Sequence, residues 1–220
     1  MSKFLLAVAV VSACAFSCAK KDPFDQKFIE KDLARRTAQE IHDAADKFTY
    51  EPPADRVLTE QQIVDYVRVM KLADQIRETA ERQANTAVDR ASSAASGRER
   101  VGDAAAAIGS VRNYATAEMR ACLNLGSNPK EHEWVAQHIA TALTTIDQIA
   151  RMEKNVDMAK AAFDAEIDPM LQTQKRHAYE RYADQNERWE HDQDPAAIAN
   201  AALVRKHKHE LVPNGSAQPR

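Results

Sequence analysis

Apolar residues recur along most of the chain at three- and four-residue intervals, the period of a single helix face. The pattern is most regular in the second half. Val135, Ala142, Ile149, Val156, Phe163 and Met170 fall seven apart, and Ile139, Ile146 and Ile167 form a second column that Glu153 and Lys160 interrupt. Paired heptad columns make the seam of a coiled coil. The segment therefore predicts a long helix from Pro129, bent or broken at Asp168-Pro169 because proline lacks the amide hydrogen and clashes with the preceding turn. Trp134, Val135, Ile139, Ile146 and Ile149 are the candidate interaction face on this helix.

Punctuation divides the rest. Phe24, Phe28, Ile29, Leu33, Ile41, Ala45 and Phe48 fall near one face of a helix predicted from Pro23 to Phe48, which Glu51-Pro52-Pro53 ends. Thr59-Glu60-Gln61-Gln62 spells a capping box, with Thr59 at the N-cap and Gln62 reaching back. Ile63, Val67, Met70, Ile76 and Ala80 follow as a stripe, continued by Ala84, Ala87, Ala91 and Ala94. The Ser- and Gly-bearing stretch from Ala91 to Gly102 is a turn or a kink. A third helix runs from Glu99 or Asp103 to Leu125, and Val101, Ala105, Ile108, Val111, Ala115, Met119 and Cys122 read as its buried face. Gly126 suits the left-handed position after a helix, and Asn128-Pro129 the start of the next. A charged stretch from Gln172 to Asp194 precedes a short last helix opened by Asp194-Pro195 and ending near Leu211; Pro213 to Ser216 belong to a disordered tail.

Composition strengthens the helical reading. Only 5 glycines and 8 prolines occur in 220 residues, and 44% are hydrophobic. The predicted fold is all-α, an elongated antiparallel helical bundle or hairpin with a coiled-coil-like seam. The net charge is -3 with both signs interspersed. That excludes the one-signed basic surface that nucleic acid requires.

The first residues add an address. Lys3 precedes an apolar run from Phe4 to Val11, then small residues and cysteines, then Lys20, Lys21 and Asp22. This order is that of a secretory signal, and the run is too short to span a bilayer. In detail it resembles the signal of bacterial lipoproteins, in which a cysteine after a small residue receives a diacylglyceryl group before cleavage. Val11-Ser12-Ala13-Cys14 is the better local match, whereas Ala15-Phe16-Ser17-Cys18 gives the longer signal. Length selects Cys18, with Cys14 as the alternative; simple cleavage after Ala15 or Ala19 would instead release the chain. The resemblance implies a lipid-tethered envelope protein. Without Asp after the anchor, it implies the outer membrane facing the periplasm in a Gram-negative host, the alternative being a soluble periplasmic protein. The chain then divides into a signal and anchor over 1–18, a helical arm and linker over 19–57, a helical body over 58–211 and a tail over 212–220.

Candidate chemistry is sparse. Glu131-His132-Glu133-Trp134 lacks the H-E-x-x-H spacing of a zinc site, and His132 and His138 do not share a helix face. His207 and His209 sit among Arg205, Lys206 and Lys208, which oppose a cation, so they read as solvated surface. Cys122, the one cysteine beyond the signal, reads as a buried thiol. No metal, cofactor or catalytic set is expected. The expected function is contact with an envelope protein, or with a second copy, as a scaffold or accessory subunit. The alternative is a periplasmic helical binder that holds unfolded chains.

Overall fold

The computed structural model describes residues 22–212, and the signal segment, with Cys14 and Cys18, lies outside them. Within the described residues there are nine helices and no strand: α1 (Gln26–Arg35), α2 (Ala38–Ala45), α3 (Glu60–Ser93), α4 (Gly97–Ala115), α5 (Ala117–Leu125), α6 (Pro129–Asp164), α7 (Pro169–Asp192), α8 (Pro195–Lys206) and α9 (Lys208–Leu211). The protein is all-α. None of these helices is long and apolar enough to cross a membrane.

Local sequence accounts for most boundaries. Thr59 and Gln62 form the reciprocal capping box that opens α3. Gly126 closes α5 at φ 73°, and Asn128 caps α6 with Pro129 in its first turn. Two predicted helices are each divided. The first breaks at Arg36, because Thr37 and Glu40 form a capping box of their own and restart the chain as α2. The third breaks at Thr116, whose hydroxyl donates to the Arg112 carbonyl at 3.1 Å. Such back-bonding draws a carbonyl from the helix ladder and favours a bend. The stretch between Ala91 and Gly102 is a turn, with Ser96 and Glu99 forming a third capping box that opens α4.

Two apolar clusters organise the packing. The first joins Ile29 and Leu33 of α1, Val69, Leu72, Ala73 and Ile76 of α3, and Ala117, Ala121 and Cys122 of α5. The predicted arm residues of α1 are thus core. The second joins Leu58 and Ile63, at the start of α3, to Val135, Ile139, Ala142 and Ile146 of α6 and to Ala201 and Val204 of α8. Each cluster has a polar fastener. Arg120 is fully buried and donates to Thr116 Oγ1 (3.1 Å), Asp32 Oδ2 (3.0 Å), the Arg36 carbonyl (2.7 Å) and Asn113 Oδ1 (2.8 Å). Those four bonds lock the α1–α2 corner to the α4–α5 corner. In the second cluster, Asn200 of α8 accepts from Leu58 N at 2.7 Å and donates to the Arg56 carbonyl at 3.0 Å. Arg56 holds φ 56°, a left-handed value uncommon outside glycine, and pairs with Asp194 at 2.8 Å.

From this base two antiparallel hairpins extend, α3 with α4 and α6 with α7. The long helices have 34 and 36 residues, roughly 50 Å each at 1.5 Å per residue. The heptad seam of α6 is buried only in its first half. Val135, Ile139, Ala142 and Ile146 are core, Ile149, Val156 and Phe163 are half-buried, and Ile167 and Met170 are 95% and 76% exposed. The reason is coverage: α3 and α8 lie over the first half, and α7 alone over the second.

The expected buried face of α4 is a clear correction. Val101, Ile108 and Val111 are exposed (72%, 57% and 63%), and Ala105 and Ala115 are exposed with them. Helix α4 instead turns Ser110 toward the alanines of α3. Only Cys122, beyond the bend at Thr116, is buried as expected.

Candidate functional site

A polar groove lies where α3 passes the α5–α6 turn. Its cavity is about 450 Å³, and Gln62, Tyr66, Arg68, Asn128, Glu131 and His132 are among its walls. The turn at Gly126 reverses the chain, so the first turn of α6 faces the first two turns of α3. Gln62 Nε2 donates to Glu131 Oε1 at 2.9 Å and to Tyr50 Oη at 3.2 Å. The His132 ring is buried and stacks on Tyr66, with centroids 5.0 Å apart and planes at 18°. Its Nε2 lies 3.7 Å from Glu118 Oε2, and Glu118 also pairs with Arg77. The His132 ring nitrogen facing it is the largest influence holding the Glu118 carboxyl below its ordinary range; partial burial works against this, and Arg77 reinforces it. Burial pushes the Tyr66 hydroxyl up.

This row of Arg77, Glu118, His132 and Tyr66 orients an imidazole beside a groove. Cys122 is not one of the groove's walls. Burial, with a smaller contribution from Glu118, pushes its thiol up to about 12, so at neutral pH it is not a thiolate nucleophile. Among the described residues no cluster of three or more His, Cys, Asp or Glu side chains could hold a metal ion. His207 departs from the solvated reading: its ring is largely buried, between Glu60 at 3.6 Å and Glu210 at 3.7 Å, while His209 is exposed.

The residues expected to form an interaction face separate into two groups. Val135, Ile139 and Ile146 are covered by the chain's own α3 and α8, so they hold the fold together and leave no surface for a second molecule. Trp134 and Ile149 are half-buried. Trp134 lies between Tyr50 and His138, at centroid distances of 5.7 and 4.0 Å, and His138 Nδ1 donates to its carbonyl at 2.9 Å.

Most of the exposed apolar surface lies elsewhere, on the hairpins. On the first it includes Val64, Val88, Val101, Ile108, Val111 and Tyr114; on the second, Met158, Ile167, Met170, Leu171 and Tyr182. The α4 surface was spelled in the sequence at helical spacing, but the same spacing served equally for a core face. Compared with protein-family models, with curated proteins and with solved structures, the chain has no match in any of the three.

Proposed function

We propose that this protein is a cell-envelope lipoprotein that acts by protein–protein contact, as a scaffold or accessory subunit. The observation that carries the contact reading is the continuous apolar face of α4, held out on a hairpin whose other side is occupied by α3. Exposed apolar patches of this kind on a folded domain mark interaction sites more often than scattered single residues do. The envelope part of the reading rests on the lipoprotein-like signal ahead of Cys18, with several acyl chains giving durable anchoring where one would not.

Chemical crosslinking in intact envelopes tests the contact reading, and intact mass of the purified mature protein tests the anchor. The reading requires a discrete crosslinked product that is retained when His132, His138, His177 or Cys122 is replaced singly. It also requires a mass increment of lipid on Cys18 or Cys14. A diffuse smear of many clients would move the holdase alternative to first place. An activity abolished by His132→Gln with the fold intact would replace the contact reading with a catalytic role for the groove.

A further inference from the structure

The α4 face has a definite chemistry. Val101, Ala104, Ile108, Val111 and Ala115 follow one another at intervals of three and four residues, the alternation of a coiled-coil seam. All five are exposed. At 100° per residue the seam is bounded on one side by Arg100 and on the other by Arg112 and Arg98. Those three arginines are exposed, and none forms an ion pair among the described residues. The acidic residues of α4, Glu99 and Asp103, lie on the opposite arc, Glu99 capping Ser96 and Asp103 beside α3. On α4 itself the result is a short apolar seam with only positive charge at its edges; Glu81 of α3 lies near Val111 and Tyr114 at one end.

We infer that this face docks an amphipathic helix of another protein, one carrying an apolar heptad seam flanked by Glu or Asp. The inference rests on the contact reading and adds the partner's chemistry. Charge decides between occupants. In coiled coils the residues beside the seam choose the partner, and like charges there destabilise the pair. A second copy of this chain would bring Arg98, Arg100 and Arg112 against their own counterparts, whichever way the helices ran. A bilayer also attracts arginine, but faces that insert carry Trp, Phe or Leu. This seam contains Val, Ile and Ala alone and is a single heptad stripe wide. The acid-flanked helix satisfies both the stripe and its borders.

The test titrates the purified full chain into a labelled synthetic four-heptad peptide with Ile and Leu in its seam and Glu at the flanking positions, followed by fluorescence anisotropy. A second peptide differs only in carrying Lys at the flanks. Three exposed ion pairs at about two-fold each give roughly eight-fold preference for the Glu peptide, shrinking as salt is raised. Ile108→Asp should abolish binding with the helical spectrum unchanged, since the side chain is on the surface. Arg98→Glu combined with Arg100→Glu and Arg112→Glu should reverse the preference toward the Lys peptide. Equal binding of the two peptides, or binding of the Glu peptide that survives Ile108→Asp, overturns the inference. So does concentration-dependent self-association abolished by Ile108→Asp, or binding to phosphatidylglycerol vesicles with none to the Glu peptide. If the peptides fail while the envelope crosslink persists in Ile108→Asp, the contact reading stands and the α4 face is the part that falls.

Discussion

The chain carries two seams of similar spacing with opposite fates. On α6, Val135, Ile139, Ala142, Ile146 and Ile149 run at intervals of four and three, and the first four are buried. On α4, Val101, Ala104, Ile108, Val111 and Ala115 run at intervals of three and four, and all are exposed. The difference lies outside the seams themselves. Helix α8 returns to cover α6, fastened by Asn200 to the backbone at Arg56 and Leu58. Helix α4 packs its Ser110 side on α3, and among the described residues no third helix lies over its apolar side. A heptad pattern therefore states that a face wants a partner, and the topology decides whether the chain supplies one.

The sharpest way to break this comparison is to place one charge on each seam. Ile146→Asp buries an unpaired carboxylate among Ile63, Ile139 and Val204, and should cost about 4 kcal/mol or more, enough to unfold a marginal domain. Ile108→Asp, at a surface position, should leave stability within about 0.5 kcal/mol. Urea denaturation followed by circular dichroism measures both. Equal losses would mean that α4 is covered in solution; no loss at Ile146 would mean that α6 is not.

Next in size is the fastener of the first cluster. Arg120→Ala leaves Asp32, whose side chain is 7% exposed, with Arg36 alone at 3.2 Å and strands the Arg36 carbonyl and Asn113 Oδ1, at an expected cost of about 3 kcal/mol. Because Arg120 bridges two corners, the loss should appear as one cooperative transition at lower denaturant, with the helical content of the folded state nearly unchanged.

A smaller effect is tied to pH. The Glu118 carboxyl is held below its ordinary range in the folded chain, so its contribution to stability is complete above the unfolded value and is lost as pH falls through the folded one. Glu118→Gln should therefore lower stability at neutral pH by at most about 1 kcal/mol, since solvent screens a half-exposed carboxylate. The gap from wild type should close as the medium is made more acidic than the normal carboxylate range. A gap that widens in acid would contradict the pairing with His132 and Arg77. The smallest effect is a gain: a methyl group added at Gly102 meets nothing within 4 Å, so Gly102→Ala should stabilise α4 by about 0.5–1 kcal/mol.

Helix class and most boundaries were written locally. Thr59-Gln62, Gly126, Asn128-Pro129 and Asp194-Pro195 each act within one turn of chain, and each is found doing so. The breaks at Thr37 and Ser96 were equally legible, since both spell the same capping box as Thr59, with Glu three residues on. What local reading missed depends on distant partners. Arg120 looks like a surface residue until Asp32 and Arg36, more than eighty positions earlier, close around it. The groove and the ion-pair row behind it likewise need Gln62, Glu118 and His132 from three helices. The exposed face of α4 was visible as an apolar stripe, but the decision between core and surface required knowing that none of the other described helices returns to cover it.

Site-specific photocrosslinking in intact envelopes tests the central claim most directly, with the reactive side chain placed at Ile108 and, separately, at the exposed Glu153 of α6. The uncovered seam predicts a discrete crosslinked partner protein from position 108 and none from position 153. The same product from both positions, or none from 108, would contradict a docking face on α4.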